Sequence, residues 1–194
     1  MFIVFEGPEG AGKSTLVARL AQELGERAVV TREPGSGEFG VAIRRLLLEG
    51  GGIPPWSELF LFLADRANHV ETVIRPALQA GKTVLCDRYA DSTVVYQGHA
   101  RGLDLDFLRT ANQMATGGLI PDMTVLLDLD PAVGLGRQSR QDRLDREPIE
   151  FHQKVRAGFL AEMSRDPSRW LKIDAAQPPQ KVFEEVWAAI RTRA

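Results

Sequence analysis

The sequence predicts an α/β fold of three layers, with a five-stranded parallel sheet between helices. Two observations predict it. Short β-branched or aromatic runs alternate with stretches of helical periodicity from end to end, and such alternation places helices on both faces of a parallel sheet. The first run also ends in a glycine-rich turn that opens a helix, the usual junction of this architecture. A chain of 194 residues suits one core, so 1–194 reads as one domain.

In chain order, Phe2 to Phe5 is the first strand, followed by a helix with Leu16, Leu20 and Leu24 on one face and Gly25 as its C-terminal cap. Ala28 to Thr31 is the second strand, and a helix spans Gly40 to Leu48 before the Gly50-Gly51-Gly52 link. Pro54 and Pro55 open a long helix carrying Leu59, Leu63, Val70 and Ile74, which Pro76 should kink or end and Gly81 closes. Thr83 to Cys86 and Thr124 to Leu129 are the third and fourth strands. Asp130-Pro131 reads as an N-cap and first-turn proline. Trp170 to Ile173 is the last strand, and Pro178-Pro179 starts the terminal helix.

Composition excludes several classes. With 24 Lys+Arg against 26 Asp+Glu there is no global basic field, so neither a nucleic-acid partner nor a membrane surface is expected. The lone Cys86 cannot build a disulfide framework. The longest apolar run, Leu59 to Ala64, is too short to span a bilayer, and no charged segment precedes an apolar one at the N-terminus. A cytoplasmic protein is expected.

Gly7-Pro8-Glu9-Gly10-Ala11-Gly12-Lys13-Ser14 fits the phosphate-loop pattern G-x-x-x-x-G-K-[ST] and sits between a strand and a helix, as that pattern requires. Its glycines let backbone wrap phosphate oxygens, and the helix that follows aims N–H groups and its positive dipole end at them. Lys13 would bridge the β- and γ-phosphates of a nucleotide, and the Ser14 hydroxyl would hold Mg²⁺. Such a loop serves GTP switches, motors and kinases alike. N-K-x-D and D-x-x-G motifs are absent from the sequence, which argues against a GTPase, and the chain is short for a motor. Asp87, at the end of a predicted strand beside the loop, could also hold Mg²⁺, and Arg88 has the fork suited to an acceptor phosphate. Phe62 and Arg66, four apart on a helix, share a face.

Asp87-Arg88-Tyr89, then Ser92-Thr93 and Tyr96-Gln97, form a D-R-Y-x-x-S-T-x-x-Y-Q pattern that resembles the signature of the thymidylate kinase family. The phosphate loop, Thr31-Arg32-Glu33-Pro34-Gly35, Phe62 with Arg66, and Asp174 to Pro178 match further family blocks in the same order, over most of the chain. Ser36 stands where the family usually has glycine. The resemblance implies a P-loop NTPase fold with a mobile arginine-rich lid, ATP with Mg²⁺ as donor and dTMP as acceptor. It implies that Phe62 stacks on thymine, Arg66 bonds a base carbonyl, Thr93 and Gln97 lie near the base, and Tyr96 crowds C2′. Glu9 would approach the sugar 3′-hydroxyl, while Arg32 and Pro34 would lie near the acceptor phosphate.

By the same resemblance, Gly7, Glu9, Gly10, Ala11, Gly12, Lys13, Ser14 and Thr15 surround the ATP phosphates, with Ala176 and Gln177 against the adenine. Arg137, Arg140, Arg143 and Arg146 recur every three residues and mark the lid, about 137–149. The phosphate loop carries no arginine of its own, which fits family members whose lid supplies it, and Arg143 and Arg146 are the foremost candidates. His69, His99 and His152 show no metal-ligand spacing and are set aside as non-catalytic. A homodimer is expected from the resemblance; the Leu59–Leu63 and Val94–Val95 faces suit core or interface equally.

Overall fold

The computed structural model describes residues 1–49, 52–137 and 142–193. Two expected features therefore fall outside the described residues in whole or part: Gly50 and Gly51 of the glycine link, and Arg140 of the lid. The described residues form a five-stranded parallel sheet in the order β2-β3-β1-β4-β5. Its strands are β1 (Phe2–Glu6), β2 (Ala28–Arg32), β3 (Thr83–Asp87), β4 (Met123–Asp128) and β5 (Trp170–Asp174). Each expected strand is present, lengthened by one residue at its C-terminal end, except that β4 spans Met123–Asp128.

The side chains of β1 alternate between two cores, as a strand covered on both faces requires. Ile3 and Phe5 pack with Leu16, Leu20 and Leu24 of α1 (Lys13–Leu24) and with Val182, Val186 and Ile190 of α9 (Pro179–Arg193). Phe2 and Val4 face the other way, onto Val70, Ile74 and Tyr89. Further along that second face, Leu126 and Trp170 meet Val95, Tyr96, Phe151, Val155 and Phe159, the last three from α8 (Ile149–Arg165).

Helix α2 (Gly37–Glu49) begins three residues before Gly40. Helix α3 (Pro55–His69) runs through a π-helical turn, Val70–Ile74, into α4 (Arg75–Gln79). The irregular turn thus precedes Pro76, which sits in the first turn of α4. After β3 come α5 (Ala90–Thr93), a second π-helical segment, Val94–Ala100, and α6 (Leu105–Thr116), whose N-cap Asp104 accepts from Phe107 N at 2.7 Å. Asp130 caps α7 (Pro131–Gly136) by accepting from Ala132 N at 2.9 Å. Leu59, Val94 and Val95 are core; the exposed apolar residues of α3 and α6 include Trp56, Phe60 and Phe107, with Trp56 5.4 Å from the Phe107 ring. Among the described residues no helix is long and apolar enough to cross a membrane.

Candidate active site

The C-terminal ends of β1 and β3 open onto a cavity of about 820 Å³. The phosphate loop leaves β1 and winds into α1. Gly10, at φ 70°, passes so close to α7 that a Cβ would lie 1.9 Å from Gly134 O, so both the dihedral and the approach demand glycine there. Helix α1 has no side-chain N-cap, which leaves its first N–H groups facing the cavity beside Lys13. Lys13 Nζ donates to Gly7 O at 2.9 Å and Pro8 O at 2.8 Å. Burial, and secondarily the Arg88 charge, bring its pKa down to about 8.

Ser14 Oγ donates to Asp87 Oδ2 at 2.7 Å. Two hard oxygens side by side at the head of a phosphate-binding helix suit Mg²⁺, which takes few protein ligands and completes its shell with water and phosphate. Arg32 Nη2 lies 3.7 Å from the same Asp87 oxygen, so the C-terminal end of β2 reaches this corner too.

Arg88 follows Asp87 and is the one non-glycine residue with positive φ, at 71°, among the described residues. Its backbone N–H donates to Phe5 O at 3.0 Å, which binds the turn to β1. Glu6 secures the rest of it: its carboxylate accepts from Tyr89 N at 2.9 Å, Ser92 N at 3.2 Å and Ser92 Oγ at 2.6 Å. Held this way, the Arg88 guanidinium donates to Glu9 Oε1 at 2.9 Å and lies 5.0 Å from the Tyr96 ring centre. The Tyr96 hydroxyl donates to that same Glu9 oxygen.

On the opposite wall, Phe62 lines the cavity with Arg66, Thr93 and Gln97. Arg66 is 1% exposed and its donors are committed within the protein. Nε donates to Glu33 at 2.8 Å, Nη1 to Thr93 Oγ1 at 2.8 Å and Asn112 Oδ1 at 2.5 Å, and Nη2 to Tyr89 O at 3.1 Å while lying 2.8 Å from Glu33. Glu33 also meets His69 Nδ1 at 2.9 Å, and His69 Nε2 meets Thr31 Oγ1 at 2.6 Å, so this wall is braced by a buried polar chain.

The cavity therefore gathers Glu9, Gly10, Ala11, Gly12, Lys13, Ser14, Thr15, Arg32, Pro34, Phe62, Arg66, Asp87, Arg88, Thr93, Tyr96, Gln97 and Gln177. Gly7, Ala176, Arg143 and Arg146 are not in its lining among the described residues. Gly7, the first residue of the loop, is buried against the Leu127 backbone, and Ala176 N donates to Asp174 Oδ1 at 2.9 Å. Arg143 turns to the carboxylate of Glu58 and donates to Leu47 O at 2.8 Å. Arg137 does line the cavity, and donates to Ala175 O at 3.3 Å. Sequence reasoning passed over Glu6, Glu58, Arg44 and Asn112, and set aside His152, which lies against Glu9. A glutamate at a β-strand terminus, directly before the phosphate loop, was the readable signal for Glu6; the others meet the site only through folding.

This geometry has close counterparts. A family model described as thymidylate kinase matches residues 5–186. The thymidylate kinase of Solidesulfovibrio magneticus is 48% identical, with 98% of each chain covered. That of Deinococcus radiodurans is 48% identical over 100% of this chain and 97% of its own. The crystal structure of thymidylate kinase from Ehrlichia chaffeensis superposes with a TM-score of 0.82 at 32% identity, covering 98% of both chains. A phosphate loop and an arginine turn held to one strand pair, together with near-complete coverage by such relatives, lead to one conclusion: the chain belongs to the thymidylate kinase family.

Proposed function

We propose that the chain, acting as one catalytic domain over 1–194, transfers the γ-phosphoryl group of ATP to dTMP, giving ADP and dTDP for dTTP synthesis in the cytoplasm. The observation that carries this is the meeting of Lys13 and Arg88 in one cavity, opposite a wall bearing Phe62. Such a site has grips for two phosphorylated ligands and a flat ring for a base, whereas a bare nucleotide switch needs only the first.

In this reading an oxygen of the dTMP phosphate attacks the γ-phosphorus in line, the bond to the β,γ-bridging oxygen breaks, and ADP departs with that electron pair. The attacking oxygen is already ionised, so no strong base is needed. Lys13 and the N–H groups of α1 hold the donor phosphates, with Gln177 and its neighbours beside the adenine. Arg88 and Arg32 orient the acceptor phosphate. Phe62 stacks on the base, Glu9 meets the 3′-hydroxyl, and Tyr96 fills the space a 2′-hydroxyl would need. Bound at Ser14 and Asp87, Mg²⁺ would neutralise charge on the donor phosphates. Arg66 meets a base carbonyl in this reading by sharing a donor now given to Thr93. An arginine from the 137–149 lid adds charge stabilisation; Arg137 is nearest to hand, with Arg143 and Arg146 requiring movement to serve.

The exposed Trp56, Phe60 and Phe107 cluster on α3 and α6 is our proposed contact with a second copy, making a homodimer. The testing experiment is ADP release from ATP-Mg²⁺ with dTMP, dUMP, dCMP, AMP, GMP and CMP offered singly. Turnover led by dTMP is expected. Preference for another monophosphate would overturn the base pocket, and silence with all would leave a binding module.

A further inference from the structure

Glu58, on α3, is 0% exposed, yet it is ionisable and lies outside the reaction described above. A buried carboxylate persists only when donors surround it. Here Arg101 Nε lies at 2.7 Å, Gln97 Nε2 at 2.8 Å, and the guanidinium of Arg143 completes the set. Burial works to raise the Glu58 pKa, but the hydrogen bonds from Arg101, Gln97 and Arg143 outweigh it and hold the group ionised, below the ordinary 4.5. An ionised carboxylate is acceptor-only, so it can face only the NH₂ side of the Gln97 amide.

Gln97 lines the cavity on the base wall, and no described residue donates to its Oε1. Arg66, on the same wall, already has protein acceptors around its guanidinium, Thr93 Oγ1 among them. We propose that Glu58 is a specificity-positioning residue: it locks the Gln97 amide so that its carbonyl oxygen faces the acceptor base, selecting bases that carry an N3–H. Thymine and uracil offer that donor. Cytosine offers a lone pair at N3, which would meet the Gln97 oxygen acceptor to acceptor, and a buried unpaired polar group rejects a ligand strongly. Arg101 and Arg143 serve this role indirectly, by keeping Glu58 charged.

The inference rests on the kinase reading, and the test separates the two. In the wild-type chain, dTMP-dependent ADP release with ATP-Mg²⁺ tests that reading alone. The kcat/KM ratio of dTMP to dCMP is then measured for wild type, Glu58→Gln, Gln97→Leu and the double variant, after thermal unfolding has shown that each folds. Glu58→Gln lets the amide turn over, so the ratio should fall roughly tenfold to a hundredfold. Gln97→Leu should lower it similarly, and the double variant no further, because Glu58 has nothing left to orient. Should Glu58→Gln unfold, Glu58→Asp keeps the charge but withdraws the carboxylate by one methylene, and the same fall is expected. Calorimetric titration with dTMP and dCMP reads the same ratio without turnover. Equal losses for both monophosphates at an unchanged ratio would overturn the proposal and leave Glu58 a structural clamp.

Discussion

His152 Nδ1 lies 3.4 Å from Glu9 Oε2, with both atoms shut away from solvent and neither aligned in a hydrogen bond among the described residues. The Glu9 carboxylate raises the His152 pKa above 6.5, against burial, which pulls it down. Glu9 is held well below 4.5: burial pushes it up, but Arg88, His152, Lys13 and Tyr96 together outweigh that.

The sign of the pH dependence follows. A raised histidine pKa stabilises the fold fully below 6.5 and fades as pH climbs through the folded value; a lowered glutamate pKa stabilises above 4.5 and is lost as pH falls through the folded value. The pair should thus count most between those two ordinary values. His152→Gln should lower stability by about 1–2 kcal/mol near that window and by less toward alkaline pH. Thermal unfolding across pH checks it; a difference that does not change with pH would mean the pair carries no charge-dependent stabilisation.

Lys13→Ala should lower kcat by about a hundredfold or more, since in the proposed reaction the ammonium supplies the donor-side charge that counters the transferring group. Its melting temperature should stay close to wild type, because the lysine is buried at a desolvation cost that its removal relieves. Wild-type turnover in this variant would remove the phosphate-loop assignment.

Helix α7 rests backbone against backbone on the phosphate loop. A Cβ at Gly134 would stand 2.1 Å from Glu9 O, whereas one at Gly136 would meet nothing within 4 Å. Gly134→Ala should therefore raise the KM for ATP and cost about 1–3 kcal/mol of stability. Gly136→Ala, two residues on, is the control and should keep the wild-type KM. Equal behaviour of the two would show that the contact yields without consequence.

Glu6→Ala would strand the N–H groups of Tyr89 and Ser92 in the interior, at about 1–3 kcal/mol for each unsatisfied group. It would also free the turn that holds Arg88 at positive φ. The KM for dTMP should rise by about tenfold or more, with the KM for ATP changing less. A matched rise in both would mean that Glu6 supports the whole strand end and not the acceptor grip in particular.

The strands were legible because each is a compact β-branched or aromatic run, and the phosphate loop because its pattern must sit between a strand and a helix. The two π-helical turns, Val70–Ile74 and Val94–Ala100, leave no mark in a periodicity count. Helices α6 and α8 escaped assignment although Phe151, Val155 and Phe159 recur at helical spacing, because charged neighbours dilute the pattern. Within the site, residues inside contiguous motifs could be read by position. Glu58 and Asn112 could not: each matters through partners 39 to 85 and 22 to 46 positions away, a relationship that local spacing does not encode. The arginine series showed the opposite limit. Its spacing was plain, yet the fold turns Arg143 to Glu58 and leaves Arg137 at the cavity.

The pairing of Phe5 with Asp87 places the exits of β1 and β3 one strand spacing apart, and the Arg88 N–H bond to Phe5 O continues that ladder past the end of the sheet. Neighbouring strands lie about 4.8 Å apart and cannot slide without breaking the ladder. The carboxyl end of the sheet is then a gauge block: the gap between the phosphate loop and the Arg88 turn is set before any ligand arrives. A gauge of one length admits one phosphoryl group in transit. In the proposed reaction, the diphosphate product together with a second ATP would need room for one phosphorus more, so a single addition is the expected outcome.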